Sequence, residues 1–279
     1  MRRILLTGST GFVGRQVLKT LMAKGAKVTV TVRPDQNVPD GVKHIRTEDL
    51  FSETIDFWEK GCRDHDAVIH SAWYTEHGKY LNAPENLDCL AGTIKLFQGA
   101  KAAGVSHFQG IGTCLEYGPK CNEAPQNQPI PSDAPIYPTT PYAASKAAAY
   151  LALSNQSGEM QFAWSRLFFL YGEGEDPRRL VPYINSQISR GLPIKLTSGR
   201  QWRDFLDVKE AASQIAYVTL NCVEGPINIC SGIPITIAKF AENIALKSNR
   251  KDLISTELTP DRADESHYLV GVPSFKKKS

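Results

Sequence analysis

The chain has 279 residues, of which 42% are hydrophobic, and its formal net charge is only +3. A chain of this length and composition can bury a large core, as one big domain or as two unequal ones. Its charges are spread along the sequence, and the one basic run, Lys276 to Lys278, is interpreted as a solvated tail. No nucleic-acid partner is therefore predicted.

Export and membrane insertion are not predicted either. The first apolar run, from Ile4 to Leu6, ends at Thr7 and is too short for a secretory signal peptide. No later stretch could span a membrane, so we expect a cytoplasmic protein without a membrane partner. The six histidines form no ligand-spaced cluster, and no metal is predicted. The six cysteines show no CxxC pair and are expected to be free, mostly buried thiols: Cys62, Cys89, Cys114, Cys121, Cys222 and Cys230.

Short β-rich runs alternate with helical stretches along the chain. The predicted strands of the first part are 2–7, 27–33, 65–72, 106–113 and 161–170. The predicted helices between them are 11–25, 84–104 and 139–156. This alternation is typical of a parallel sheet with helices on both faces, which places the chain in the α/β class.

Two later segments depart from that alternation. The stretch 119–141 is rich in Pro, Asn and Gln, and long loops of this kind are commonly functional lids. After Tyr171 the pattern changes to helices at 178–191 and 208–221 around a strand at 193–198. We interpret this part as a smaller lobe interleaved with returns to the sheet.

A glycine triplet follows the first predicted strand and opens the first helix. Glycine allows a tight turn and a close approach of a pyrophosphate to the backbone, and the helix N-terminus offers N–H groups with a partial positive charge. The position of the triplet favours a dinucleotide site over a glycine-rich turn without a ligand. The predicted contacts in this turn are Gly8, Thr10, Gly11, Phe12, Val13 and Gly14.

The end of the second predicted strand bears on which dinucleotide is bound. An acidic residue there binds a ribose 2′-hydroxyl, whereas an arginine accepts a 2′-phosphate. Arg33 occupies that point, and Asp35 follows two residues later behind a proline. We expect NADP(H) rather than NAD(H), because a guanidinium pairs well with phosphate. The alternative is an ordinary exposed arginine at a strand end.

Tyr142 and Lys146 lie four residues apart in a helix built almost wholly of alanine. Residues at this spacing share one face of a helix. Taken alone, the pair could be a surface feature. An ammonium beside a tyrosine also favours the phenolate, and it brings the phenol pKa toward the range useful for acid–base catalysis.

Several motifs together resemble one family. Gly8-x-x-Gly11-x-x-Gly14, "DAVIHSA", "PENLDCLAGT", Thr113 before "EYG" and Tyr142-x-x-x-Lys146 occur in the order seen in extended short-chain dehydrogenases/reductases. Later segments, "SRLFFLYGEG", "LVPYI" and "GLPIKLTSGRQWRDFLDV", resemble the substrate domain of these nucleotide-sugar epimerases, dehydratases and reductases. The resemblance implies a Rossmann-like dinucleotide-binding domain over 1–170, with returns at about 204–232. It implies a substrate-binding lobe over 171–203 and 233–279.

The resemblance also implies roles for single residues. The implied catalytic residues are Thr113, Tyr142 and Lys146. Thr113 would hydrogen-bond the substrate oxygen, and Lys146 would also hold the nicotinamide ribose. Tyr142 and Lys146 would therefore contact the cofactor too. The other implied cofactor contacts are Asp49, Leu50, Ser71 and Ala72.

The implied substrate contacts are Trp73, Asn86, Cys114, Glu116, Phe169 and Arg203. Alternatives stay open for three of them. Trp73 could cap the core, Asn86 could be an ordinary polar residue inside a helix, and Arg203 could form a salt bridge to Asp204 or another carboxylate. Phe169 stands where many relatives have an asparagine that touches the substrate phosphates.

Departures from the family pattern narrow the expected reaction. Family dehydratases resemble Thr-Asp-Glu-x-Tyr-Gly, whereas Cys114 and Leu115 follow Thr113 here and Glu116 is out of register. Dehydration is therefore disfavoured. The double epimerase–reductases carry a cysteine where this chain has Leu115.

The segment "PIKLTSGRQWRDF" most closely resembles deoxysugar-nucleotide reductases such as the paratose and abequose synthases. We therefore predict NADPH-dependent reduction of a nucleoside-diphosphate 4-keto-6-deoxysugar. The alternatives are a C4 epimerase with retained NAD and a non-catalytic nucleotide-binding module. The resemblance further implies a homodimer through helices near 84–103 and 142–155.

Overall fold

The computed structural model of the chain describes residues 1–119, 127–256 and 266–275. Some predicted features lie outside these residues. They are Cys121, the basic run at 276–278 and the first part of the proline-rich stretch at 119–141.

Strands and helices alternate through the described residues. In chain order the strands are β1 (Arg3–Thr7), β2 (Lys27–Val32), β3 (Lys43–Arg46), β4 (Ala67–His70), β5 (His107–Thr113), β6 (Gln161–Leu167), β7 (Phe169–Tyr171), β8 (Ile194–Leu196), β9 (Trp202–Asp207), β10 (Gly225–Ile229), β11 (Pro234–Thr236), β12 (Ile254–Thr256) and β13 (Tyr268–Leu269). The helices are α1 (Phe12–Ala23), α2 (Ile55–Cys62), α3 (Glu85–Ala102), α4 (Pro141–Gln156), α5 (Leu180–Arg190), α6 (Val208–Leu220) and α7 (Ile237–Lys247).

The central sheet has seven strands in the order β10-β6-β5-β4-β1-β2-β3, and all neighbours run parallel. The chain order reverses between β1 and β4. At such a switch point the loops at the carboxyl ends of the strands part and leave a crevice in which ligands bind. The predicted Rossmann-like α/β fold is confirmed.

Helices cover both faces of this sheet because successive strand residues point to opposite sides. Ile4 and Leu6 of β1 belong to the core cluster beneath α1 and α6, whereas Leu5 belongs to the cluster beneath α3 and α4. Helix α2 approaches α3 closely at Gly99, where a Cβ would lie 2.8 Å from the backbone nitrogen of Glu59. The two cores hold the carboxyl edge of the sheet in place.

A second, smaller sheet forms around β9. That strand pairs with β7, β11 and β13, and a separate pair joins β8 to β12. Strand β10 returns to the edge of the central sheet beside β6. The chain therefore passes between the two sheets more than once.

The structure differs at three places from the elements predicted for the first part of the chain. The strand predicted at 161–170 divides, because the chain leaves the central sheet after Leu167 and Phe169 pairs with Phe205 of β9. Phe168, between the two parts, fills a small core cluster with Tyr117 and Cys230. Strand β3 and helix α2 were not predicted. The residues of β3 are mostly exposed and give no alternating pattern.

The described cysteines match the expectation of free, mostly buried thiols. Cys62, Cys89, Cys114 and Cys230 are buried and Cys222 is half-buried, all without a disulfide. Across the described residues, no helix combines the length and apolarity needed to cross a membrane.

Candidate active site

The glycine triplet forms a tight turn between β1 and α1. Gly8 has a φ of +73°, and a Cβ there would lie 2.7 Å from the backbone nitrogen of Ala72. At Gly14 a Cβ would overlap the carbonyl of Gly8, so only glycine lets α1 begin this close to the strand. Gly11 caps α1 without a side-chain bond, and no acidic residue lies in the first turn. The first N–H groups of α1 can thus receive an anion such as a pyrophosphate.

The other residues predicted in this turn surround its open side. Thr10 is exposed, and Phe12 and Val13 are half-buried against the core cluster beneath α1. Arg15 closes the turn from the helix side, since its guanidinium donates to the carbonyls of Thr10 at 2.9 Å and Gly11 at 3.2 Å. These residues and their backbone fit a dinucleotide pyrophosphate.

Two arginines mark the ends of β2 and β3. Arg33 is 68% exposed, and its Nε lies 3.9 Å from a carboxylate oxygen of Asp35. Arg46 of β3 pairs in register with Val32. Its Nη1 donates to the carbonyls of Arg33 at 3.3 Å and Pro34 at 2.7 Å. Arg46 therefore fixes the backbone that presents Arg33, a contact that the sequence did not reveal.

The remaining predicted cofactor residues lie along the same edge of the sheet. Ser71 and Ala72 follow β4, and the Ala72 amide donates to Thr7 Oγ1 at 3.3 Å. Asp49 follows β3 and closes a turn there, accepting from the Phe51 amide at 3.0 Å. Leu50 packs against the core beneath α3 and α4. The structure places all four residues at the carboxyl edge, where their predicted contacts with a cofactor stay predictions.

The three predicted catalytic residues come together where β5 ends and α4 begins. Thr140 starts α4 by accepting the Ala143 amide at 3.2 Å. The Thr113 side chain hydrogen-bonds the Tyr142 phenol. Lys146 is 2% exposed, and its Nζ donates to the Ile111 carbonyl at 2.5 Å. The Tyr142 phenol, the Thr113 hydroxyl and the Lys146 ammonium therefore lie close together.

Burial controls the pKa of both titrating groups in this cluster. It lowers the pKa of Lys146 to about 7, against the opposing charge of Glu116. It also raises the pKa of the Tyr142 phenol, aided by Tyr80 and Glu116, whereas the Thr113 bond acts in the opposite direction. The net shift of the phenol pKa is therefore upward, and the predicted lowering by the Lys146 ammonium stays a prediction. A neutral phenol keeps its proton available for donation.

Glu116 lies in a buried ion pair. Its Oε2 accepts from Arg166 Nε at 2.7 Å, and its Oε1 accepts from the Thr113 amide at 2.8 Å. Trp164 Nε1 donates to the same carboxylate at 3.0 Å. These partners use both oxygens inside the protein, so the structure does not support the predicted substrate contact. Glu116 instead holds the end of β5, and with it Thr113, in place.

Asn86 likewise faces protein partners. It is fully buried, and its Oδ1 accepts from Trp73 Nε1 at 2.8 Å. Its Nδ2 donates to the carbonyls of Tyr80 at 2.7 Å and Ala83 at 2.9 Å. The amide is thus engaged at both ends, so the helix-interior alternative describes Asn86 better than a substrate contact.

Arg203, Phe169 and Cys114 lie near one another beside β9. The Arg203 guanidinium is 5.2 Å from the centre of the Phe169 ring and donates to the Trp202 carbonyl at 2.8 Å. Cys114 is buried, and burial raises the pKa of its thiol. Asp204 accepts the amide of Gly232 at 2.8 Å and that of Ser231. The substrate contacts assigned to these three residues stay predictions.

The sequence profile described as the NAD dependent epimerase/dehydratase family matches residues 4–230, which includes the glycine turn and the tyrosine–lysine pair. This match covers most of the chain. The chain belongs to the NAD dependent epimerase/dehydratase family. The predicted resemblance to extended short-chain dehydrogenases/reductases is thereby confirmed, and so is the prediction of an enzyme.

Known proteins similar to this chain show how it compares in length and fold. It is 23% identical to the dTDP-6-deoxy-L-talose 4-dehydrogenase (NAD(+)) of Aggregatibacter actinomycetemcomitans, over 96% of this chain and 98% of that enzyme. The fold matches a UDP-N-acetylglucosamine 4-epimerase of Methanobrevibacter ruminantium M1 with a TM-score of 0.82 at 23% identity, over 98% and 90% of the two chains. It matches the UDP-glucose 4-epimerase of Thermus thermophilus, solved with NAD, at 0.80 and 25%, over 97% and 90%.

The sequence analysis assigned no role to His70 in the "DAVIHSA" strand, whose ring links neighbouring elements of the fold. The ring is buried between Thr7 Oγ1 and Thr93 Oγ1, each at 2.8 Å. Thr93 donates its proton to the Cys89 carbonyl at 2.7 Å. It must therefore accept from His70 Nε2, which leaves Nδ1 to accept from Thr7. Burial lowers the pKa of His70 to about 3, so a neutral imidazole links β1, β4 and α3 beneath the glycine turn.

Proposed function

We propose that this enzyme reduces a nucleoside-diphosphate 4-keto-6-deoxysugar to the 4-hydroxy sugar with NADPH. The observation that carries the proposal is the cluster of the buried Thr113 and Lys146 with the half-buried Tyr142, at the sheet edge that also carries the glycine turn. Its phenol keeps a proton, as reduction of a ketone requires. The talose 4-dehydrogenase supports this reaction class, since it is named for oxidation at position 4 of a 6-deoxysugar nucleotide and is matched over nearly its whole length.

Each residue of the cluster has a task in this reaction. The first N–H groups of α1 would hold the pyrophosphate of the dinucleotide, and Lys146 would hold its nicotinamide ribose. A bound nicotinamide supplies the hydride for C4 of the sugar. Tyr142 gives its phenol proton to the ketone oxygen, and the Thr113 hydroxyl keeps that phenol oriented by its hydrogen bond.

The coenzyme proposal rests on Arg33. Its guanidinium stands at the end of β2 and is largely exposed, while Arg46 fixes the backbone around it. A guanidinium offers several N–H donors to a phosphate. This arrangement supports NADPH over NADH as the reductant, although the talose dehydrogenase is named for NAD(+).

The segment after Thr113 argues against dehydration. Cys114 is a buried thiol with a raised pKa, and Leu115 carries no titratable group. The Glu116 carboxylate is occupied by Arg166 and the Thr113 amide. No acid of this segment can therefore remove water from a sugar.

Sugar binding is proposed for the lobe formed by 171–203 and 233–279, with Phe169 and Cys114 at its boundary. Arg203 would contact the diphosphate from this side. Its guanidinium lies against the Phe169 ring, which orients its plane. A bidentate arginine is well suited to a diphosphate.

A C4 epimerase is the second candidate, because two structural neighbours carry that name and the same Tyr142 and Lys146 would serve that reaction. The two functions differ in coenzyme use. A screen of 4-keto-6-deoxysugar nucleotides with NADPH should find one whose reduction consumes one NADPH per sugar. Inversion of a 4-hydroxy sugar nucleotide at C4 with no net NADPH loss would reject the reductase and establish the epimerase.

We also propose a homodimer through α3 and α4. Leu87 of α3 is 68% exposed and Leu151 of α4 is 52% exposed, so each of these helices presents an apolar side chain that a second copy would cover. Light scattering at micromolar concentration should give the mass of two chains. The variant Leu151→Arg should give that of one chain, and a monomeric wild-type protein would reject the proposal.

A further inference from the structure

The Lys146 ammonium rests on the face of the Trp73 ring. Its Nζ lies 3.8 Å from the ring centroid, within the range of a cation–π interaction. Because the side chain is almost wholly buried, it has lost most of its water. The ring and the Ile111 carbonyl are therefore the groups in contact with this charge.

The Trp73 ring is itself held in place. Its Nε1 donates to Asn86 Oδ1 at 2.8 Å, and Phe51 packs edge-on against it with ring centroids 6.4 Å apart. Asn86 is fully buried on the first turn of α3, so it is a rigid anchor. The ring cannot turn away from Lys146 without losing this hydrogen bond.

The same asparagine holds a second aromatic ring beside the catalytic pair. Asn86 Nδ2 donates to the Tyr80 carbonyl at 2.7 Å. The Tyr80 ring stands edge-on to Tyr142, with centroids 4.9 Å apart, and the Trp73 ring does so at 6.4 Å. The buried Asn86 amide therefore holds the Tyr80 ring against Tyr142 and the Trp73 ring against Lys146.

We infer that Trp73 is a positioning residue for Lys146, anchored by Asn86, and that Tyr80 has the corresponding role for Tyr142. This inference rests on the proposed function in assigning the pair to catalysis. It replaces the substrate contact predicted for Trp73 by a role directed at the lysine. The indole face stabilises the ammonium after desolvation and fixes its direction, which a flexible lysine chain would not do alone.

Other titratable groups face the ammonium from each neighbouring element. Glu116, after β5, and Cys89 of α3 raise its pKa, whereas His70 of β4 lies close enough to have its own pKa lowered by Lys146. Tyr142 lies one turn back on α4. Because His70 stays neutral and Tyr142 stays protonated near neutral pH, replacing Trp73 changes the environment of Lys146 without changing these charges.

The first test observes the lysine directly in protein labelled with ¹³C at lysine Cε, without substrate or coenzyme. The Lys146 signal is identified by its loss in Lys146→Met. Ring currents should shift its ε protons upfield of the other lysines. In Trp73→Leu that shift should disappear, and the titration midpoint should fall by about one pH unit, since a desolvated cation loses its π partner. Trp202→Leu, a tryptophan of β9, is the control and should leave the signal unchanged.

An unchanged Lys146 signal and midpoint in Trp73→Leu would overturn the inference. If that variant does not fold, Trp73→Phe keeps a ring but loses the bond to Asn86. It should show a reduced upfield shift, and a signal identical to wild type would again overturn the inference. Because no substrate is present, these outcomes do not depend on which sugar is turned over.

Kinetics separate a positioning role of Trp73 from a direct contact with the substrate. Trp73→Leu should lower kcat by about tenfold or more while leaving the KM for the sugar nucleotide unchanged. Its activity should also decline at lower pH than in the wild type, since Lys146 loses its proton earlier. A raised sugar KM with an unchanged kcat would show that Trp73 binds substrate, and would reject the positioning role.

Discussion

Two buried cations lie near the carboxyl end of β5 and differ in the groups that surround their charge. Arg166 has a carboxylate partner, Glu116, at 2.7 Å, and its guanidinium lies over the Tyr117 and Tyr150 rings. Lys146 makes no ion pair within the part of the chain that the structure describes, and it has one carbonyl and one ring instead. Both side chains are almost wholly buried.

The difference separates a structural charge from a reactive one. A buried charge with a close partner and satisfied hydrogen bonds is fixed, and removing the partner leaves an uncompensated ion. A buried charge without such a partner has a shifted pKa, and such groups cluster at functional sites. Burial lowers the pKa of Lys146 to about 7, which lets it respond to a ligand near neutral pH.

The largest expected effect on stability comes from breaking the ion pair between Glu116 and Arg166. Glu116→Gln should lower the free energy of unfolding by about 3–5 kcal/mol, because it leaves the Arg166 charge buried without a counter-ion. Urea unfolding monitored by circular dichroism measures this loss. A loss below about 1 kcal/mol would mean that the pair behaves like an exposed one.

Urea unfolding of Lys146→Met tests the second buried cation, Lys146, through the pH dependence of stability. The folded pKa of Lys146 lies below its unfolded value, so the unfolded chain binds more protons between about pH 7 and 10.5. The wild type should therefore gain stability relative to the Met variant as pH rises through this window. The opposite slope would contradict the lowered pKa.

Two tyrosines of α4 sharpen the comparison, since Tyr142 lies one turn before Lys146 and Tyr150 lies under the Arg166 guanidinium. Tyr142→Phe should lower turnover by about a hundredfold or more, because it removes the proton donor, while leaving the fold and NADPH binding intact. Tyr150→Phe, beside Arg166, should leave turnover near the wild-type value. Steady-state rates of the purified variants test both, and near-normal turnover of Tyr142→Phe would reject its catalytic role.

Arg203 is a third buried cation, on the proposed sugar side of the site. If it grips the diphosphate, Arg203→Ala should weaken sugar-nucleotide binding by about 1.5–3 kcal/mol, the contribution of one charged hydrogen bond. Calorimetric titration should show a much smaller effect on NADPH. Equal losses for both ligands would place Arg203 with Arg166 as a structural residue.

Arg33, unlike the three buried cations, is largely exposed, and its replacement should have the smallest effect. Arg33→Ala should reduce the preference for NADPH over NADH by about tenfold, through loss of bonds to the 2′-phosphate. Asp35→Asn, at the other end of the same ion pair, should increase that preference. Dissociation constants for both coenzymes decide this, and an unchanged ratio in Arg33→Ala would show an ordinary exposed arginine.

The sequence predicted what depends on local pattern. Gly8, Gly11 and Gly14 after a strand, and Tyr142 with Lys146 on one helix face, are local signals, and the structure places them as expected. Glu116 could not be assigned in this way, because its partner Arg166 lies 50 residues further along the chain. The link between Trp73 and Asn86 has no local signal either, since a tryptophan after a strand reads equally well as part of the core.

The central claim is that this site moves a hydride between the coenzyme and C4 of the sugar and then releases both. The most direct test uses NADPH carrying deuterium at both hydrogens of nicotinamide C4, with the 4-keto-6-deoxysugar nucleotide that is turned over. The account predicts one deuterium at sugar C4 of the product and one NADPH oxidised per sugar. Product without deuterium at C4, or a sugar inverted at C4 with no NADPH consumed, would contradict it.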